Sequence, residues 1–332
     1  MLIELAIGDS YGQPFEFVKD KSLIPPNDLH YHVHPSRPDE NILKGHYTDD
    51  TQMSIGLSRF LIEYEKHKNG PYAFIASTER ISEYFQDTYA RYPIMGYGGR
   101  IKAALKKSTL GCRAEGHGGE RFIKALSTTI STANGSVMRS LPLGVVKNTD
   151  EIIKLAMMQA MVTHTTLDGV HGSIYMALAS HYMYHKLYRN CRNNQDALTR
   201  YYHMYHWIHE TALGGNTAHS PKIQQINGYP THDKPVPCEA MKTVEAVFHL
   251  VLVSPANSLS EILKAAVDLG GDTDSVAALC MGLASMDDRI KKDLPRRLRD
   301  GLENGDYGKN FLMSLERELF KVYPPIAPLT TP

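Results

Sequence analysis

The chain has 332 residues, 42% of them hydrophobic and 22% charged, the balance of a folded globular protein with room for a sizeable core. Lys plus Arg and Asp plus Glu both number 36, so the formal net charge is zero. That excludes bulk electrostatic attraction to nucleic acid or to an anionic membrane as the main activity.

The opening "MLIELAIGDSYG" is apolar only as far as Ile7 and has no basic flank, so neither a signal peptide nor a membrane span is expected there. No later apolar run approaches the roughly 20 residues a span needs. Residues 20–46 are rich in Pro, Asn and His and read as a long loop, the candidate for a lid over a site. Residues 50–65 place Met53, Leu57, Phe60, Leu61 and Tyr64 on one helical face, with Arg59, Glu63 and Glu65 elsewhere. Shorter helices are expected over 78–89 and 120–131, with a glycine-rich loop at 92–100. Residues 150–188 read as two helices broken around Thr165–Asp168. Further helices are expected over 196–213, 239–253, 259–269 and 274–286, and another loop over 214–237. No run alternates with the period of a strand, so the expected fold is all-α. No repeat or composition break marks a linker, so residues 1–332 read as one domain.

Cys112, Cys191, Cys238 and Cys280 lie far apart, which leaves no paired-cysteine metal or redox motif and fits a reduced, cytoplasmic setting. The chemistry concentrates in two acidic, hydroxyl-rich helix starts, "YTDDTQM" (47–53) and "GGDTDS" (270–275). For either alone, capping explains the residues: Thr48 as N-cap, with Asp49 and Asp50 complementing the helix dipole. The helix after the second cluster, "SVAALCMGLAS", is small and apolar on all sides, so its acidic start should be buried. Buried carboxylates in that number repel one another unless a cation joins them. Oxygen-only donors suit a hard divalent ion, and six of them suit two ions sharing a carboxylate. Zinc is disfavoured because no thiols or paired histidines stand at ligand spacing. Histidines such as His203, His206 and His209 invite a metal site, but Tyr202, His203 and His206 read more simply as the decoration of a helix face.

"GDSYGQPFE" (8–16), "YTDDTQM" (47–53), "MGYGGRIKAAL" (95–105), "ANGSVMR" (133–139), "THTTLDGVHG" (163–172) and "AAVDLGGDTDSVAAL" (265–279) occur in the order seen in ADP-ribosylglycohydrolases, and the sequence resembles that family over residues 1–285. The resemblance implies a compact orthogonal helical bundle with a central binuclear metal cleft. It implies two Mg²⁺ or Mn²⁺ ions and hydrolysis of an ADP-ribose glycosidic bond. Carried over by motif, the metal ligands are Thr48, Asp49, Asp50, Asp272, Asp274 and Ser275, the last standing where the family more often has Thr. Glu16 matches an acidic residue near the metals, and Asp9 an acidic position close to the same site. The loops around Gly98 and Gly99, and around Asn134, Gly135 and Ser136, hold the ADP-ribose in the family. His164 matches a histidine that contacts the substrate's distal ribose or phosphate.

The general base is Glu16, Asp49 or Asp50; the sequence does not choose among them. The favoured substrate is ADP-ribosylarginine on a protein, with ADP-ribose as the product and the chain acting as a monomer. The acidic Glu16, Asp20, Asp28, Asp39 and Glu40 of the 13–46 segment would attract a cationic guanidinium, although Lys19, Lys21, Arg37 and Lys44 offset them. Two other readings stand beside this one: a catalytically silent ADP-ribose or nucleotide binder, and an all-α, Mg²⁺-dependent nucleotide pyrophosphatase.

Overall fold

A computed structural model of the chain describes residues 1–36, 42–70, 74–111, 118–126, 130–190, 203–204, 206–208, 210–212, 235–254 and 256–326. Most of the expected helix 196–213 and of the loop 214–237 lies outside these residues, as do Arg37, Asp39, Glu40, Cys112, Cys191 and His209.

The fold is all-α. Its longer helices are α1 (Leu2–Gly12), α2 (Asp49–His67), α3 (Thr78–Arg91), α4 (Gly99–Gly111), α5 (Gly118–Leu126), α6 (Thr149–Met161), α7 (Leu167–Tyr184), α8 (Ala240–Phe248), α9 (Leu259–Asp268), α10 (Thr273–Ser285), α11 (Arg296–Asp300) and α12 (Lys309–Val322). Among the described residues β-pairing is confined to three isolated bridges.

The expected apolar face of α2 is the buried one: Met53, Leu57, Phe60 and Leu61 are all within the core, and Tyr64 stacks on Phe60 at 5.8 Å. Each such side chain contributes about 1.5–3 kcal/mol by leaving water. The break between α6 and α7 falls at Thr166, whose hydroxyl accepts the N–H of Gly169 as an N-cap. The segment read as one helix over 239–253 is α8 followed by a π-helical turn, His249–Val253.

Four helices were not expected: α1, α4, α11 and α12. In α1, ten of eleven residues are buried, so it carries no amphipathic period to read. It packs along α10, equally buried, through two glycines. A Cβ on Gly8 would lie 2.3 Å from the carbonyl oxygen of Ala277, and one on Gly12 would lie 2.4 Å from that of Thr273. Only glycine permits this approach. The hydroxyl of Thr273 then donates to the carbonyl of Gly12 (2.8 Å). A second, α4, begins inside the glycine run assigned to a loop, and α11 and α12 lie beyond the last expected helix, 274–286.

Candidate active site

The contact between α1 and α10 sets the acidic cluster. After Gly12 the chain makes one tight turn, Gln13–Phe15, and reaches Glu16 beside the start of α10. The N–H of Phe17 donates to the carbonyl of Gly271 (2.9 Å), tying Glu16 to the second acidic motif. Gly270 and Gly271 have φ of +67° and +80°, a conformation costly to any other residue. A Cβ on Gly271 would also strike the backbone of Val236. That backbone accepts the N–H of Asp272 and donates to Gly270. The outcome is a group of carboxylates from Glu16, Asp272 and Asp274 whose oxygens all lie within 4.8 Å of one another.

The first acidic motif joins them through Asp9, on α1. Thr48 does not cap α2 with its own side chain. Its N–H (2.9 Å) and hydroxyl (2.8 Å) both donate to Asp9, which also takes the N–H (3.0 Å) and hydroxyl (2.6 Å) of Thr51. Asp9 therefore caps α2 from another helix. The side-chain capping role read for Thr48 is corrected: Asp9 takes the Thr51 N–H that the Thr48 hydroxyl would have accepted. The lone pairs of the Thr48 hydroxyl stay available to a ligand.

The electrostatics are those of a site built for a cation. Burial, then the charges of Asp9, Glu16 and Asp272, pushes Asp49 up to about 8. Burial, then Asp9, Asp49 and Asp272, holds Asp50 well above the carboxylate range, although Ser275 donates to it. Burial, then Glu16, Asp272 and Asp50, does the same to Asp274. The Oδ1 atom of Asp50 is buried with no hydrogen-bond partner among the described residues. Orphaned buried acceptors cost free energy unless something supplies positive charge. An all-oxygen donor set with an orphaned carboxylate oxygen fits hard divalent ions.

These residues line a cavity of about 540 Å³. Glu16, Thr48, Asp49, Asp50, Asp272, Asp274 and Ser275 all face it. The glycine loop forms another part of the wall. Nothing lies within 4 Å of where a Cβ on Gly98 or Gly99 would stand, so their backbone is open to a ligand at the start of α4. Arg100 and Lys102 line the cavity from the same turn. Asn134, Gly135 and His164 also line it. Asn134 donates to Asp272 and to Thr243, and so bridges this loop to the acidic cluster. Ser136 is fully buried behind the wall, donating to the carbonyl of Gly169.

Gly96, Arg139 and Cys238 are among the wall residues that sequence reasoning did not single out. Gly96 (φ +105°) packs on the first acidic motif, where a Cβ would lie 2.6 Å from Asp49 Oδ1. Its signal was the first glycine of "GYGG". Arg139 lines the cavity from the core side, and Cys238 faces it next to Asp272. Burial, then the charges of Asp272, Glu16 and Asp50, pushes the Cys238 thiol up and keeps it neutral. Of the acidic residues in the 13–46 segment, Glu16 faces the cavity, whereas Asp20 and Asp28 hydrogen-bond within their own turns, to Ser22 and to His30 and His32. The described part of that segment is fastened to the body: Asn27 bonds Asp268, and Arg297 bonds the carbonyl of Leu29.

An all-helical fold wrapped around an oxygen-lined acidic cavity with open glycine backbone is the arrangement the motifs implied. The chain belongs to the ADP-ribosylglycohydrolase family, whose profile matches residues 1–326. It is 23% identical over 340 residues to an uncharacterized protein of Archaeoglobus fulgidus, covering 99% of this chain and 97% of that protein. Its fold is similar to that of a solved structure described as an ADP-ribosylglycohydrolase-related protein complex. The TM-score is 0.63 at 19% identity, over 97% of this chain and 96% of the other. Family membership supports a hydrolase acting on ADP-ribose conjugates. Among the described residues no helix is long and apolar enough to cross a membrane.

Proposed function

We propose that the chain hydrolyses the N-glycosidic bond of ADP-ribosylarginine on a protein and releases ADP-ribose. Two Mg²⁺ or Mn²⁺ ions would be held by Thr48, Asp49, Asp50, Asp272, Asp274 and Ser275. The observation that carries this reading is the meeting of Glu16, Asp272 and Asp274 within 4.8 Å, in a cavity whose wall also offers open glycine backbone.

Bound divalent ions supply Lewis acidity to the oxygens they hold. The rest falls to the chain's own groups. The open N–H groups around Gly98 and Gly99, with Arg100 and Lys102, suit a diphosphate. Asn134 and His164 line the cavity and suit the ribose oxygens and phosphate. Fixing the sugar in this way turns attack at C1″ into a reaction between positioned partners. Asp50, Asp272 and Asp274 are buried, whereas Glu16 and Asp49 are partly exposed; Asp49 belongs to the proposed ligand set, which leaves Glu16 as the assigned general base. As the water oxygen bonds to C1″, Glu16 takes its proton and the C1″–N bond breaks with its electrons going to nitrogen. The cationic guanidinium thus leaves as neutral guanidine and recovers its charge from the proton on Glu16. Negative charge from the flanking carboxylates favours the positive character that develops on the sugar ring.

Peptides of equal concentration carrying ADP-ribose on Arg, Ser or Glu separate the linkages. Faster release from arginine is expected. Release from serine at a comparable or greater rate would overturn the arginine assignment. A Glu16→Gln variant should lose turnover on every substrate; a loss confined to KM on the arginine peptide would make Glu16 an attractor of the guanidinium and not the base.

A further inference from the structure

Behind His164 runs a line of hydrogen bonds that the proposed reaction does not use. Arg139 is only 1% exposed. Its Nε donates to Gln159 Oε1 (2.6 Å), and its Nη2 to the Gln159 carbonyl (2.7 Å) and to Thr163 Oγ1 (2.8 Å). Its guanidinium stands 4.6 Å from the centre of the Phe85 ring. Gln159 is fixed in turn, its amide nitrogen donating to the Ser136 carbonyl (2.8 Å) and to Ser140 (3.0 Å). Thr163 Oγ1 lies 2.7 Å from His164 Nδ1.

A guanidinium carries only donors, so Thr163 Oγ1 must accept from Arg139. Among the described residues His164 Nδ1 is the one acceptor within reach of that hydroxyl's hydrogen, so the arrangement that leaves no donor unpaired has Thr163 donating and Nδ1 accepting. A ring whose Nδ1 accepts carries its proton on Nε2. The cation beside it also opposes a second proton on the ring; burial, then the charge of Arg139, pushes His164 down to about 3. The Nε2 edge lies over the second loop, since a Cβ on Gly135 would be 2.5 Å from Cε1 and 3.1 Å from Nε2.

We infer that Arg139 and Thr163 are positioning residues that hold His164 as the neutral Nε2–H tautomer, a fixed hydrogen-bond donor into the cavity and not an acid or base. That the acceptor is an oxygen of bound ADP-ribose rests on the proposed function; the tautomer does not.

The test is long-range ¹H–¹⁵N correlation on the full chain with ¹⁵N-labelled histidine at neutral pH, with His164 assigned by its loss in His164→Gln. A pyrrole-type Nε2 and a pyridine-type Nδ1 are expected, unchanged on adding ADP-ribose with Mg²⁺. Thr163→Val should mix the tautomers, and Thr163→Ser should restore the wild-type pattern. On an ADP-ribosylated peptide Thr163→Val should raise KM about tenfold, the cost of one misdirected hydrogen bond, with a smaller change in kcat, and Thr163→Ser should recover it. A protonated Nδ1 in the wild type, or unaltered His164 signals in Thr163→Val, would overturn the inference. A chain with the expected tautomer but no release of ADP-ribose would fail the functional reading and leave this one standing.

Discussion

Thr48 gives both of its hydrogens, the backbone N–H and the hydroxyl, to the carboxylate of Asp9, 39 positions earlier in the chain. One buried carboxylate thereby fixes the start of α2, and with it the direction in which Asp49 and Asp50 point. Two effects compete at Asp9. It accepts four hydrogen bonds, and it adds a negative charge that raises Asp49 and Asp50.

The hydrogen bonds should win. An amide at position 9 turns a donor toward the Thr51 N–H, leaving buried donors unpaired. Asp9→Asn is expected to destabilise the chain by about 2 kcal/mol and to weaken divalent-ion binding through misplacement of Thr48. Thermal unfolding and Mn²⁺ calorimetry check both. A more stable variant would mean that charge repulsion dominates there.

Asp50→Asn should have the opposite sign without metal. It replaces a carboxyl that burial and like charges penalise whenever it ionises, and whose Oδ1 has no partner, by a neutral amide, so the chelated variant should melt at or above the wild type. It should also lose the rise in melting temperature on adding Mn²⁺, which for a working site is about 3 kcal/mol at a hundredfold excess over Kd. A full metal-induced rise in the variant would remove Asp50 from the ligand set.

The glycine loop offers a contrast between neighbours. Gly96→Ala forces an unfavourable φ and drives a methyl against Asp49, so a cost of about 1–3 kcal/mol and weaker metal binding are expected. At Gly98 an added Cβ would meet no protein atom within 4 Å, so Gly98→Leu should keep nearly wild-type stability while the affinity for ADP-ribose falls. Unfolding and calorimetry with free ADP-ribose separate the two. Unchanged ADP-ribose affinity in Gly98→Leu would return that position to a plain turn.

Stability against pH follows from the same carboxylates. Asp49, Asp50 and Asp274 hold protons more tightly folded than unfolded, so their contribution is present at low pH and lost as pH rises through the folded values, about 8 for Asp49. His164 and His185 are shifted down, to about 3 and about 4, and act with the opposite sign below their ordinary value of 6.5. Above neutrality the carboxylates are left to dominate. With chelator, the chain should lose stability between roughly pH 7 and 9, by at most about 1.4 kcal/mol per pH unit for each group. Saturating Mg²⁺ should abolish that slope, because the ion replaces the proton. A flat or rising profile with chelator would contradict it.

The helices read from the chain have one wet face, although α12, with Leu312, Leu315 and Leu319 as its buried stripe, was passed over. Met53, Leu57, Phe60 and Leu61 announce α2 because Arg59 and Glu63 lie opposite. The helix α1 has no such contrast, since nearly every residue in it is buried, and α4 starts at glycines that look like a loop. The acidic motifs were visible as clusters. What joins them was not, because it depends on backbone contacts between residues 261 and 269 positions apart: Gly12 with Thr273, and Gly8 with Ala277. Gly98 and Gly96 look alike in sequence, and only packing on Asp49 tells them apart. Ser136 belongs to a motif on the cavity wall, yet its hydroxyl faces the core.

The central claim is that the joined acidic clusters hold the ions that cleavage at C1″ requires. It is tested most directly by following an ADP-ribosylarginine peptide with the full chain, in Mn²⁺ and in excess chelator, and identifying the product. Free ADP-ribose with Mn²⁺, none with chelator, and recovery on restoring the ion is the predicted result. Undiminished release in chelator, or AMP as the product, would contradict it.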